Sequence, residues 1–265
     1  MIGWLDLSVE ALWLFGFVIS TFGLIFQILI YFLISCSREL DQKLLTQLTV
    51  ARILNVALEF LVLDVNMLEP FIRDPVFALY IHTDAVLICW MFIFTKNLYD
   101  KVINVFTQKS SFTTLSATIW IAMFPIGLLC TVLLNLQTRN PDGPKYFTIF
   151  YTVYNITKFI VLTVNLLLFF KIFSVALSRS SDRRVGIIRT CVVSFILVSI
   201  SSLQVFLTDL LSFFCDEMPN VVIAFGVINS YQVVAITTIF VILVNGACEE
   251  SLSNMITKKF IKETV

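Results

Sequence analysis

Residues 147–174 read FTIFYTVYNITKFIVLTVNLLLFFKIFS, a run whose only charges are Lys158 and Lys171. At 1.5 Å per helical residue, about 20 apolar residues cross the roughly 30 Å of bilayer hydrocarbon, so this run is predicted to be a transmembrane helix. Six further runs answer to the same rule, at 11–35, 44–66, 77–95, 114–136, 186–214 and 220–246. Short polar breaks separate them: Ser37 to Lys43, Glu69 to Pro75, Lys96 to Ser111, Thr138 to Lys145, Ser178 to Arg184 and Asp216 to Pro219. The second run is the least apolar, because Arg52, Asn55, Glu59 and Asp64 lie inside it.

Composition points the same way. The chain is 58% hydrophobic and 14% charged, with a mean hydropathy of +0.94, whereas a water-soluble domain holds nearer a quarter of its residues as charges. Lipid is therefore the expected solvent for most of the surface, and residues 1–265 are expected to form a single seven-helix, all-α transmembrane domain. The 18 basic and 18 acidic residues cancel, which gives no global attraction to nucleic acid. Six cysteines without CxxC spacing and one histidine offer no zinc site, and no metal or cofactor is expected. With no GxSxG and a single histidine, no hydrolytic triad can be assembled, so the expectation is a non-enzyme. No Lys or Arg occurs before Arg38, unlike the basic start of a cleavable signal, so the first run is expected to be retained.

Basic residues orient the bundle. Arg38, Lys43, Lys96, Lys101, Lys109, Lys171, Arg179, Arg183, Arg184, Arg189, Lys258, Lys259 and Lys262 belong to one set of alternate loops and helix ends, against Arg73, Arg139 and Lys145 in the other. Cytoplasmic loops carry the excess of Lys and Arg. The split of thirteen to three predicts an outside N-terminus and a cytoplasmic C-terminus, in a multi-pass protein of the cell membrane. That polarity requires an odd number of crossings. After the last crossing, 249–262 carries apolar residues at 252, 255, 256 and 260, with acids first and lysines last. It reads as a short amphipathic helix on the inner membrane surface, or as a frayed tail.

Charges at membrane depth cost several kcal/mol by insertion scales and mark functional candidates. Lys158 lies about 11 residues, or roughly 17 Å, into its helix, too deep for easy snorkelling, and needs an acidic partner, a water-filled cavity or a lowered pKa. Glu59, Asp64, Asp84 and Asp209 all fall in the outer halves of their segments. Tyr151, Asn155 and Lys158 share a helical face that Asn165 continues; Tyr80 and Asp84 are one turn apart. Ser201, Gln204 and Thr208 on the sixth segment, with Asn229, Tyr231 and Gln232 on the seventh, complete an expected polar cavity open to the outside. Alternatively, Lys158 with Asp84 or Glu59 simply pins helices together. Arg52 and Asn55 read as packing contacts, and His82 as a hydrogen-bonded core residue. Cys36 and Cys248, at cytoplasmic helix ends, could be palmitoylated or simply pack.

Several local motifs resemble those of G-protein-coupled receptors. Gln47-Leu48-Thr49-Val50-Ala51-Arg52-Ile53-Leu54 resembles the second-helix pattern of rhodopsin-like receptors, with Arg52 where that family has its sodium-site aspartate. Asp100-Lys101-Val102 occupies the place of Asp-Arg-Tyr at the inner end of the third helix. Trp120 with Pro125 resembles the fourth-helix signature, and Gly23 with Gln27 the first-helix Gly-Asn. The cysteine at the outer start of the third helix, the Cys-Trp-x-Pro turn and the Asn-Pro-x-x-Tyr motif are all absent. Such worn motifs in a Phe-rich chain with short loops look like the nematode serpentine chemoreceptors. The resemblance implies an extracellular small-molecule ligand held by Glu59, Asp84, Lys158, Asp209, Tyr231 and Gln232. It also implies a heterotrimeric G protein met by Asp100, Lys101, Arg183 and Arg184, within a lipid bilayer. A seven-helix transporter or channel is the alternative, although no internal repeat or Pro-Gln signature is evident. A retinal protein would need a lysine on the seventh segment, which has none.

Overall fold

The computed structural model describes residues 2–33, 40–64, 70–104, 112–140 and 145–178, with positions 234, 237, 238, 241, 242, 244 and 245 of the seventh run. The described chain is helical throughout: α1 (Ile2–Leu33), α2 (Leu40–Asp64), α3 (Pro70–Tyr99) continued by a π-helical turn (Asp100–Asn104), α4 (Phe112–Arg139) and α5 (Tyr146–Ser178). Among the described residues, α3, α4 and α5 offer stretches long and apolar enough to cross a membrane. An all-helical chain carrying such helices is a membrane protein. The sixth run, most of the seventh and the surface segment 249–262 lie outside the described residues.

Helices α3, α4 and α5 overrun the apolar stretches at both ends, and α1 and α2 at their N-terminal ends, because hydropathy registers only the hydrocarbon-spanning part while backbone hydrogen bonding continues into the polar interface. The clearest difference is the start of α3, where a break was expected from Glu69 to Pro75 but the helix runs from Pro70. Pro70 sits at the first helical position, where a missing N–H costs nothing, and Pro75 gives up one bond near the helix end. At the other end, where a break was expected from Lys96, the helix continues to Tyr99 and on through the π turn to Asn104.

Helix α3 is central. It packs on α2, α4 and α5, and 56% of its most apolar window is buried, against 17% for α4 and 22% for α5. The interior is built from Leu44, Leu45 and Leu48 of α2, Trp90 and Phe94 of α3, and Phe169 and Ile172 of α5. Phe15, Phe22, Leu128, Ile149, Val153 and Leu167 point outward, as lipid-facing side chains should.

The polar character of α2 is explained by where its side chains go. Gln42, Thr49, Arg52 and Asn55 are all buried, and several bond to neighbouring helices rather than facing lipid. Thr49 Oγ1 is 2.8 Å from Gln27 Oε1 of α1, and Trp120 Nε1 of α4 donates to Gln47 Oε1 at 3.1 Å. Arg52 Nη1 donates to Asn55 Oδ1 at 3.0 Å, and Asn55 Nδ2 reaches Thr83 Oγ1 of α3 at 3.5 Å. Helix pairing in lipid relies on such contacts and on close backbone approach. Gly127 supplies the approach between α4 and α3, since a Cβ there would stand 2.8 Å from the Ala78 carbonyl oxygen. Threonines that face lipid, such as Thr118 and Thr157, return their hydroxyls to the carbonyl four residues earlier, so no donor is stranded.

Candidate functional site

Asp84 and Lys158 meet inside the bundle. Lys158 Nζ lies 2.8 Å from Asp84 Oδ2 and 3.1 Å from Oδ1, joining α3 to α5 across 74 residues of sequence. Asp84 is roughly 21 Å along α3 from Pro70 and Lys158 roughly 18 Å along α5 from Tyr146, at 1.5 Å per residue. The two helices thus present their charges at matching depth. The side chains are 15% (Lys158) and 8% (Asp84) exposed, so neither is bathed by bulk solvent. Tyr154 completes the group by donating its hydroxyl to Asp84 Oδ2 at 2.8 Å. Asp84 therefore accepts from an ammonium and a phenol, which compensates much of the cost of holding a carboxylate away from water.

Aromatic side chains pack beside this group toward the N-terminal ends of α3 and α5. Tyr151 stacks on Phe147 with ring centroids 5.9 Å apart, and Phe77 of α3 meets both rings at 6.0 and 6.5 Å. On the opposite face of α3, His82 lies against Trp120 and Phe124 of α4, at 6.0 and 5.8 Å between centroids. It is a buried packing residue there. Deeper on α5, Asn165 is buried, and neither of its side-chain polar atoms has a hydrogen-bond partner among the described residues.

Of the expected ligand-contacting residues, Asp84 and Lys158 are brought together. Glu59 lies on α2, but its side chain is outside the described set, as are Asp209, Tyr231 and Gln232. Of the expected inner-face residues, Asp100 and Lys101 form the start of the π turn and are half-buried; Arg183 and Arg184 lie outside the described residues. The face assigned from Tyr151, Asn155 and Lys158 overlooked Tyr154. Its position four residues before Lys158 puts both on one face, which was the available signal. Among the described residues no cluster of His, Cys, Asp and Glu could hold a metal ion.

What these elements define is an all-helical membrane protein with an ion pair buried between two of its spans. No protein-family model matches the chain, and no curated protein does either.

Proposed function

We propose that the chain is a seven-helix receptor of the cell membrane, N-terminus outside and C-terminus in the cytoplasm, that binds an extracellular small molecule beside Asp84 and Lys158 and signals through a heterotrimeric G protein. The Asp84–Lys158–Tyr154 group carries this reading. It ties α3 to α5 by bonds that a polar ligand can compete for, and a ligand shifts a two-state bundle only by binding one arrangement better than the other. Glu59, Asp209, Tyr231 and Gln232 would complete the ligand-contacting set. At the inner end of α3, the π turn holding Asp100 and Lys101 supports a signalling surface, since π segments recur at functional sites; Arg183 and Arg184 would extend it. The charge split of the loops supports the orientation.

A carrier could use the same pair, exchanging Lys158 between Asp84 and a substrate. The two readings separate in one experiment, in which cells expressing the chain are screened with small molecules while cAMP, calcium and uptake are recorded together. The receptor reading expects a second-messenger response that the double variant Asp84→Asn/Lys158→Met loses while still reaching the surface. Uptake or current without a second-messenger change establishes the carrier instead. Epitope tags at the two termini, probed on intact and permeabilised cells, check the orientation.

A further inference from the structure

Ile160, Val164, Leu167 and Lys171 follow one another at intervals of four, three and four along α5, and therefore form a single stripe. The first three are 55%, 40% and 63% exposed, and Lys171 is exposed as well. The stripe is roughly 16 Å long by helix rise, an apolar track that ends in a cation. Lys171 Nζ stands 5.3 Å from the centre of the Tyr99 ring, and one turn before Tyr99 on α3 is Lys96, also exposed. Neither lysine meets a carboxylate within 4 Å among the described residues.

We infer that the α3–α5 surface at Lys96, Tyr99 and Lys171 is a binding site for an anionic phospholipid. Its acyl chain lies along Leu167, Val164 and Ile160, and its headgroup phosphate sits between the two ammonium groups. An apolar stripe alone would suit any lipid, and lysines alone would only set topology. The cationic cap on the stripe matches an amphiphile with a negative head. Tyr99, beneath the Lys171 ammonium, belongs at the headgroup level where amphipathic rings collect and holds the cation in place through its ring face. The site rests on the proposed orientation only for assigning it to the cytoplasmic leaflet, whose lipids are anionic.

The test uses full-length protein, stripped of lipid in detergent and then offered phosphatidylserine or phosphatidylcholine of identical chains. Native mass spectrometry counts the lipids retained, and no orientation or signalling competence is required. Phosphatidylserine should be retained preferentially, with Lys171→Gln and Lys96→Gln each weakening the preference about fivefold. Lys145→Gln, at the other end of α5, should leave it unchanged. Equal retention of the two lipids, or a preference that survives in the Lys96→Gln/Lys171→Gln double variant, overturns the inference. Displacement of the bound lipid by millimolar glycerophosphoserine, which has the head and no chains, would assign the site to free phosphate esters and overturn it equally. Failure of the receptor screen, by contrast, leaves the lipid measurement untouched.

Discussion

Removing Lys158 should destabilise the bundle far more than removing Lys158 and the Asp84 charge together. At the 2.8 Å separation of Nζ and Oδ2, an effective dielectric of about 20 gives a gross attraction of about 6 kcal/mol. Taking both ions out of water costs several kcal/mol each, so the pair is close to neutral against an apolar replacement. Lys158→Met alone leaves Asp84 with only the Tyr154 hydroxyl, and Asp84→Asn alone leaves a buried ammonium facing an amide. Each should cost about 3–5 kcal/mol, whereas Asp84→Asn/Lys158→Met should cost about 1 kcal/mol or less. The coupling energy from the four-membered cycle, measured by denaturant titration of the protein in bicelles, is thus expected to approach the sum of the two single losses, about 5–10 kcal/mol. Losses that simply add would refute the argument, because they would mean the two charges are independently solvated.

Three further outcomes follow from the same geometry. Tyr154→Phe should cost about 1.5–3 kcal/mol in the same titration, the range for a hydrogen bond to a charged acceptor, and no change would place the Asp84 carboxylate in contact with water. Gly127→Ala should cost about 1–3 kcal/mol, since its methyl would meet the Ala78 carbonyl at 2.8 Å and His82 Cβ at 3.1 Å and force α4 away from α3; an unchanged unfolding midpoint would mean the helices give way freely. Asn165→Leu should stabilise by about 1 kcal/mol or more, because it removes two buried polar atoms without partners and keeps the number and branching of side-chain heavy atoms. A destabilised Asn165→Leu protein would show that the amide has a partner after all.

How much of this was legible in the sequence depended on what each residue type reports. Long apolar runs report lipid directly, so the runs at 77–95, 114–136 and 147–174 correspond to helices that, among the described residues, are long and apolar enough to span a membrane. Lys158 reported that its ammonium had to be answered by an acidic partner, a water-filled cavity or a lowered pKa, and the partner is what the bundle supplies. Which acid answered was not legible. Of the four acids Glu59, Asp64, Asp84 and Asp209, the sequence points to Asp84 or Glu59 as the partner, and only the rotation of α3 against α5 brings Asp84 within reach. Helix ends were misplaced for a related reason, since hydropathy follows the solvent and the backbone follows hydrogen bonding.

Helix α2 shows the limit of reading hydropathy as a measure of lipid contact. Its Gln42, Thr49, Arg52 and Asn55 help to make it the least apolar of the described α-helices, yet all four are buried. A helix that touches lipid must be apolar, but a helix surrounded by other helices can carry polar groups if its neighbours complement them. Gln27 on α1, Thr83 on α3 and Trp120 on α4 do this. None of these pairings has a signature within one segment, because each depends on the angle at which two helices cross. The low hydropathy of residues 44–66 is therefore a record of neighbours rather than of solvent. The same reasoning makes Trp120→Phe, which strands Gln47 Oε1, more disruptive than its exchange of one ring for another implies.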